Sequence, residues 1–95
     1  MAKYPFALTH AAVSVLNTTT VALAASSARR YALFVNDSDT VIYLKVGVSA
    51  VANQGIRLNA NGGSYEMSQE FGNVDNRAVN AIASVTGKNL LVTSG

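Results

Sequence analysis

The sequence predicts an all-β domain: a single-domain antiparallel β-sandwich or jelly-roll-like barrel of about eight short strands. Three observations carry that expectation. Short runs rich in Val, Ile, Leu, Tyr and Phe recur at roughly 8–12-residue spacing, bounded by Asn, Asp, Ser and Gly. Within several runs apolar and polar residues alternate with period two, as in Ile56-Arg57-Leu58 and Tyr65-Glu66-Met67. The chain has 95 residues, of which 49% are hydrophobic and 13% charged. That is the length of one domain, and it is too apolar and too weakly charged for disorder.

Taken in order, Met1 to Leu8 contains Tyr4-Pro5-Phe6. Proline has no N–H to give to a ladder, so this stretch reads as an arm or an edge. Residues 1–12 are expected to form an N-terminal arm and residues 13–95 the β domain. Val13 and Val15 alternate with Ser14, and Asn17-Thr18 offers a turn. Val21 and Leu23 alternate with Thr20, Ala22 and Ala24 in a second strand, which Ser26-Ser27 ends. Tyr31 to Val35 is rich in aromatic and branched residues, and Asn36 to Asp39 is a concentrated turn signal. Val41 to Val46 follows, with Lys45 outward and Ile42, Leu44 and Val46 inward; these two runs predict a hairpin.

Gly47 and Gly55 bracket a looser stretch before Ile56 to Leu58. Asn61-Gly62-Gly63 predicts a tight hairpin turn, because Asn and Gly tolerate positive φ. Tyr65 and Met67 then flank Glu66, and Gly72 to Asn76 is a polar loop. Val79 to Val85 reads as a strand of ambiguous face, which suggests a bulge; its alanines also leave a helical turn open. After Gly87-Lys88-Asn89, Leu90 and Val92 are expected in the core.

Composition removes several chemistries. There is no cysteine, so neither disulfides nor thiolate metal sites exist, and a single histidine rules out a histidine-rich metal site. No cofactor is expected. His10 lies beside the arm with no partner spacing for nucleophilic catalysis. Asp37 and Asp39 begin a calcium-loop spacing but lack its downstream glycine and glutamate, so a turn explains them. Gly62-Gly63 lacks the lysine of a phosphate loop. The net charge of +2 comes from 7 basic and 5 acidic residues, and the basic residues are scattered, so no nucleic-acid partner is expected.

No run approaches the ~20 apolar residues of a membrane-spanning helix, so no membrane partner is expected either. Lys3 and Ala22-Leu23-Ala24 mimic the ends of a signal peptide, but His10, Ser14 and Asn17 to Thr20 interrupt its apolar stretch. The chain is therefore expected to act through its surface and not as an enzyme. The candidate partner-binding residues are Tyr4, Phe6 and Leu8 of the arm, with Arg29 and Arg30, the one tight basic pair. The simpler role for Arg29 is to cap its loop.

The segment Ala28 to Ser38 resembles a pattern in small structural proteins of tailed bacteriophages, in which an Arg-rich start leads into an apolar strand and an Asn/Ser turn. Thr40-Val41-Ile42-Tyr43-Leu44, Gly55 to Leu58, Asn61 to Glu66, Ala78 to Ile82 and the ending Asn89 to Gly95 continue the likeness. The resemblance implies a virion component with a β-sandwich fold, of the capsid decoration or cement type. Such a protein sits on the capsid exterior, partners the major capsid protein and itself, and is commonly a homotrimer. It implies no catalytic residues. Tail, neck or fibre-associated structural proteins share these patterns, and a carbohydrate-binding module is a third alternative.

Overall fold

The pairing of strands follows one rule: the first with the last, the second with the second-to-last, and so inward to the middle of the chain. The structure, a computed structural model, describes residues 7–95. Its strands are β1 (Thr9–Val15), β2 (Thr20–Leu23), β3 (Tyr31–Asn36), β4 (Ile42–Val46), β5 (Ile56–Leu58), β6 (Ser64–Ser68), β7 (Val79–Ala83) and β8 (Lys88–Ser94). The nested pairs are β1 with β8, β2 with β7, β3 with β6 and β4 with β5. The β3–β8 and β4–β7 ladders then join them into two four-stranded antiparallel sheets, in the orders β1-β8-β3-β6 and β2-β7-β4-β5. This is a rolled-up long hairpin, the jelly-roll form of the β-sandwich.

Alternation places the core between the sheets. In β3, Ala32, Phe34 and Asn36 are buried while Tyr31, Leu33 and Val35 are half-buried on the other side. Ile42 and Leu44 of β4, Leu58 of β5, Met67 of β6 and Leu90 and Val92 of β8 join them, as the period-two patterns predict. Burying a side chain of this size stabilises by about 1.5–3 kcal/mol. Among the described residues, the ion pairs Arg77–Asp75 and Lys88–Asp39 each have a well-exposed partner and belong to a class worth about 0–1 kcal/mol. Apolar packing between the sheets therefore holds the fold.

Several expectations need correction. The Tyr31–Asn36 and Ile42–Val46 strands are not a hairpin: β3 and β4 lie in different sheets. The Asn36–Asp39 turn carries the chain across the sandwich. Asn36 is fully buried; its Nδ2 donates to the carbonyls of Thr40 (2.8 Å) and Leu58 (3.0 Å), and its Oδ1 accepts from the Ser38 hydroxyl (2.7 Å). The Asn61-Gly62-Gly63 turn likewise joins β5 and β6 of opposite sheets, although Asn61 and Gly62 do take positive φ (62° and 114°). The sequence-adjacent pair that does form a ladder is β4–β5, closed through Gly47 and Gly55, both with positive φ.

Within residues 78–85 the strand β7 spans Val79–Ala83 and no helical turn forms; Val79, Ala81 and Ala83 face inward and Val85 is exposed beyond the strand's end. The register shift lies instead in β2, between Val21 and Leu23. There Ala22 faces the core, Val21 is 59% exposed, and Leu23 packs partly against the core beyond the shift. Finally, β1 begins at Thr9, so residues 9–12 pair with β8 and the paired domain starts ahead of the expected boundary at residue 13.

Candidate interaction surface

The outward faces of the two sheets differ in character. On the β2-β7-β4-β5 sheet, Lys45 and Arg57 stand among Val21, Asn80, Tyr43 and Ile82. Their polar ends are tied into the neighbouring loop: Tyr43 Oη to Asn53 (2.8 Å), Lys45 Nζ to Gln54 (2.7 Å) and Asn80 Nδ2 to the Val48 carbonyl (2.7 Å).

The β1-β8-β3-β6 face is nearly free of charge. Its register sets His10, Thr93, Leu33 and Glu66 in one row across the strands and Ala12, Leu91, Val35 and Ser64 in the next. Neither row holds a Lys or Arg. The polar groups present satisfy one another: His10 Nδ1 bonds Thr93 Oγ1 (2.9 Å), and the Tyr31 hydroxyl donates to Glu66 Oε2 (2.6 Å). At the corner of this face a groove of about 330 Å³ is lined by Leu8, Tyr31, Glu66, Ser68, Glu70 and Phe71. Phe71 is 64% exposed. Its turn is built on Ser68, whose carbonyl accepts from the N–H groups of Phe71 and Gly72. Ala12, Leu91, Val35 and Leu33 thus form an apolar patch edged by the polar side chains of His10, Thr93, Glu66 and Ser64.

The residues expected to bind partners have separate fates. Tyr4 and Phe6 lie outside the described residues. Leu8 is exposed and lines the groove. Arg30 is exposed, its N–H donating to the Gly95 carbonyl (2.7 Å). Arg29 is only 7% exposed, and its guanidinium donates to the carbonyls of Asp75 (2.6 Å), Arg77 (2.8 Å) and Ala24. It is not placed to meet a partner in the folded chain. It clamps the loop before β3 to the loop before β7, which is the capping role on a larger scale. Burial lowers its pKa, and the nearby Asp75 carboxylate partly opposes that shift.

The surface charges show the same economy. Hydrogen bonds from Arg77, with the Arg77 and Arg29 charges, lower the Asp75 pKa to about 2. Lys88 and Thr40 hold Asp39 below its usual range. Asp37 accepts from Asn89 Nδ2 (3.1 Å). Among the described residues no three His, Asp or Glu side chains gather as metal ligands would. Leu91, Ala12 and Phe71 were not singled out by sequence reasoning. An aromatic stranded in the polar run Ser68 to Asn73 was the available signal for Phe71.

No protein-family model, curated protein or solved structure matches the chain.

Proposed function

We propose that this chain is a bacteriophage virion structural protein of the capsid decoration type, which binds the outer surface of the head, stabilises it, and works as a homo-oligomer without catalysing a reaction. One observation carries the reading: the outer face built on Ala12, Leu91, Val35 and Leu33, whose two rows hold Glu66 as their one carboxylate and no Lys or Arg, set on a jelly-roll sandwich. Such a face sheds little hydration when it docks on protein, and its scarcity of charge explains the low charged share of the whole chain. The resemblance of Ala28 to Gly95 to small phage structural proteins supplies the context. A protein that binds only the assembled shell stabilises that shell by mass action.

The test uses heads of the parent phage assembled without this chain. Added protein should co-sediment with them and raise their melting temperature, and Leu91→Lys, a change at an exposed site, should remove both effects while leaving the fold intact. Heads that neither bind the protein nor gain stability would sink the reading. If labelled protein is seen by electron microscopy only on tail, neck or fibre, the role is structural but the location is wrong.

A second reading, glycan binding, draws on the groove beside Phe71, where an exposed aromatic ring stands near the carboxylates of Glu66 and Glu70. Binding on a glycan array that is lost in Phe71→Ala would favour it over the first.

A further inference from the structure

We propose that β1 pairs with β1 of a second copy, antiparallel, about a two-fold axis at Ala12, so that two four-stranded sheets become one continuous sheet. The proposal rests on the reading of this chain as a self-associating surface protein, and not on which shell it meets.

Open sheet edges are templates for pairing, and native proteins blunt the ones that must stay free. Three of the four edges here are blunted. β5 has three residues and carries Arg57. β2 has four and is broken by its register shift. On β6, the Asn73 side chain accepts from the Ser68 N–H (2.9 Å) and donates to the Glu66 carbonyl (2.9 Å), occupying backbone groups that a new strand would need. β1 has none of these devices among the described residues. It runs seven residues, THAAVSV, in unbroken register with β8, with no Lys, Arg, Asp, Glu or Pro. Every second residue of an edge strand turns its N–H and C=O away from its one neighbour, so β1 presents a clean row.

The side chains name the occupant. From Leu8 to Leu16 the sequence is nearly self-complementary about its centre: Leu-Thr-His-Ala-Ala-Val-Ser-Val-Leu. Antiparallel pairing about Ala12 sets Ala12 against Ala12 of the second copy, Ala11 against Val13, His10 against Ser14, and Leu8 against Leu16. No charge meets a like charge. Period two places His10, Ala12 and Ser14 on the outer side of β1, Leu8 and Leu16 flank its two ends, and all five are exposed in the single chain. Leu8 and Leu16 are 43% and 39% exposed. Directly opposed residues share a face with Cβ atoms about 4.5–5.5 Å apart, so the dyad covers both leucines of both copies. An axis moved by half a residue would oppose outer to inner faces and break the continuity of the sheet. An axis at Ala11 or Val13 would set Leu16 against Phe6 or His10. The match of leucine to leucine selects Ala12, and with it two copies instead of the three that the phage resemblance implies.

The chain has no cysteine, which makes the register directly readable. In Ala12→Cys the two opposed Cα atoms lie about 4.5–5.5 Å apart, inside disulfide range. In His10→Cys the two introduced thiols are four residues out of step, roughly 14 Å apart, and cannot bond. Under mild oxidation Ala12→Cys should convert to a covalent dimer while His10→Cys stays monomeric on a denaturing gel. Light scattering of the unmodified chain should give a dimer that dissociates on dilution, and Leu16→Asp should shift it to monomer. A trimer, or an oligomer in which Ala12→Cys links no faster than His10→Cys, overturns the edge pairing and leaves self-association standing. A monomer at all concentrations, with no preferential link at residue 12, overturns the pairing and self-association in free solution together; the head-binding assay then decides the virion role independently.

Discussion

Replacing Arg29 with Met keeps most of the aliphatic stem and removes the charge and every donor. In the folded chain those donors hold the carbonyls of Asp75, Arg77 and Ala24, which belong to two loops far apart in sequence. Hydrogen bonds from a charged group contribute about 1.5–3 kcal/mol each, so three set a ceiling of about 4.5–9 kcal/mol. Two effects lower that figure. Ala24 is exposed, so its carbonyl regains water. Removing the guanidinium also relieves the burial cost that depresses its pKa. A loss of about 3 kcal/mol remains, equivalent to a fall in Tm of roughly 12–24 °C for a domain of this size. Urea unfolding followed by circular dichroism measures it, with Tm as a second readout. Arg29→Lys should recover less than half of the loss, because one ammonium cannot reach carbonyls on both loops in fixed directions. If Arg29→Met costs under about 1 kcal/mol, or Arg29→Lys matches the unmodified chain, the clamp is wrong. If Arg29→Met is stable but fails to bind heads, Arg29 is a partner contact after all.

Three further outcomes are expected. Asn36→Ala should cost about 2–4 kcal/mol in urea unfolding, because it takes the Asn36 donor from the Leu58 carbonyl of β5 and leaves the Thr40 carbonyl with the Ser38 hydroxyl alone. Gly55→Ala should destabilise well beyond Gly72→Ala: both glycines have positive φ (85° and 72°), but a Cβ at 55 would sit 2.3 Å from the Leu44 carbonyl oxygen while one at 72 meets open space. Strain alone at 72 predicts about 1–2 kcal/mol, and equal Tm losses for the two variants would refute the contact argument. The Asp75 pKa is about 2 in the folded chain against an ordinary 3.8. A depressed folded pKa gives stability that is present above the unfolded value and lost as pH falls through the folded one. Tm should therefore drop between about pH 4 and pH 2, and Asp75→Asn should melt below the unmodified chain at pH 5 but match it near pH 2.

Strand positions were legible because alternation and turn residues are local properties. Ile42-Tyr43-Leu44 and Tyr65-Glu66-Met67 declare their faces within a few residues, and the structure places Leu44 and Met67 at the centre of the core. Faces made of alanine were not legible. Ala22, Ala81 and Ala83 are buried, but a one-carbon side chain gives too weak an apolar contrast for period two to declare its face. Of the candidate site, Leu8 and Arg30 were found on the surface, but Leu91, Ala12 and Phe71 came together only through the register of β1, β8 and β3 and the turn after β6.

By itself, then, the sequence determined a small all-β domain with strands of known position, turns at Asn36–Asp39 and Asn61–Gly63, and no thiol chemistry. Tertiary structure decided which strands pair. A turn signal states where a chain reverses, and a reversal within a sheet has the same local chemistry as a crossing between sheets. The choice follows from which arrangement buries Phe34, Ile42, Leu58 and Leu90 together, a sum over residues far apart in the chain. The same sum drew Arg29 inside, where carbonyls from distant loops converge, and among the described residues left β1 at the edge of its sheet.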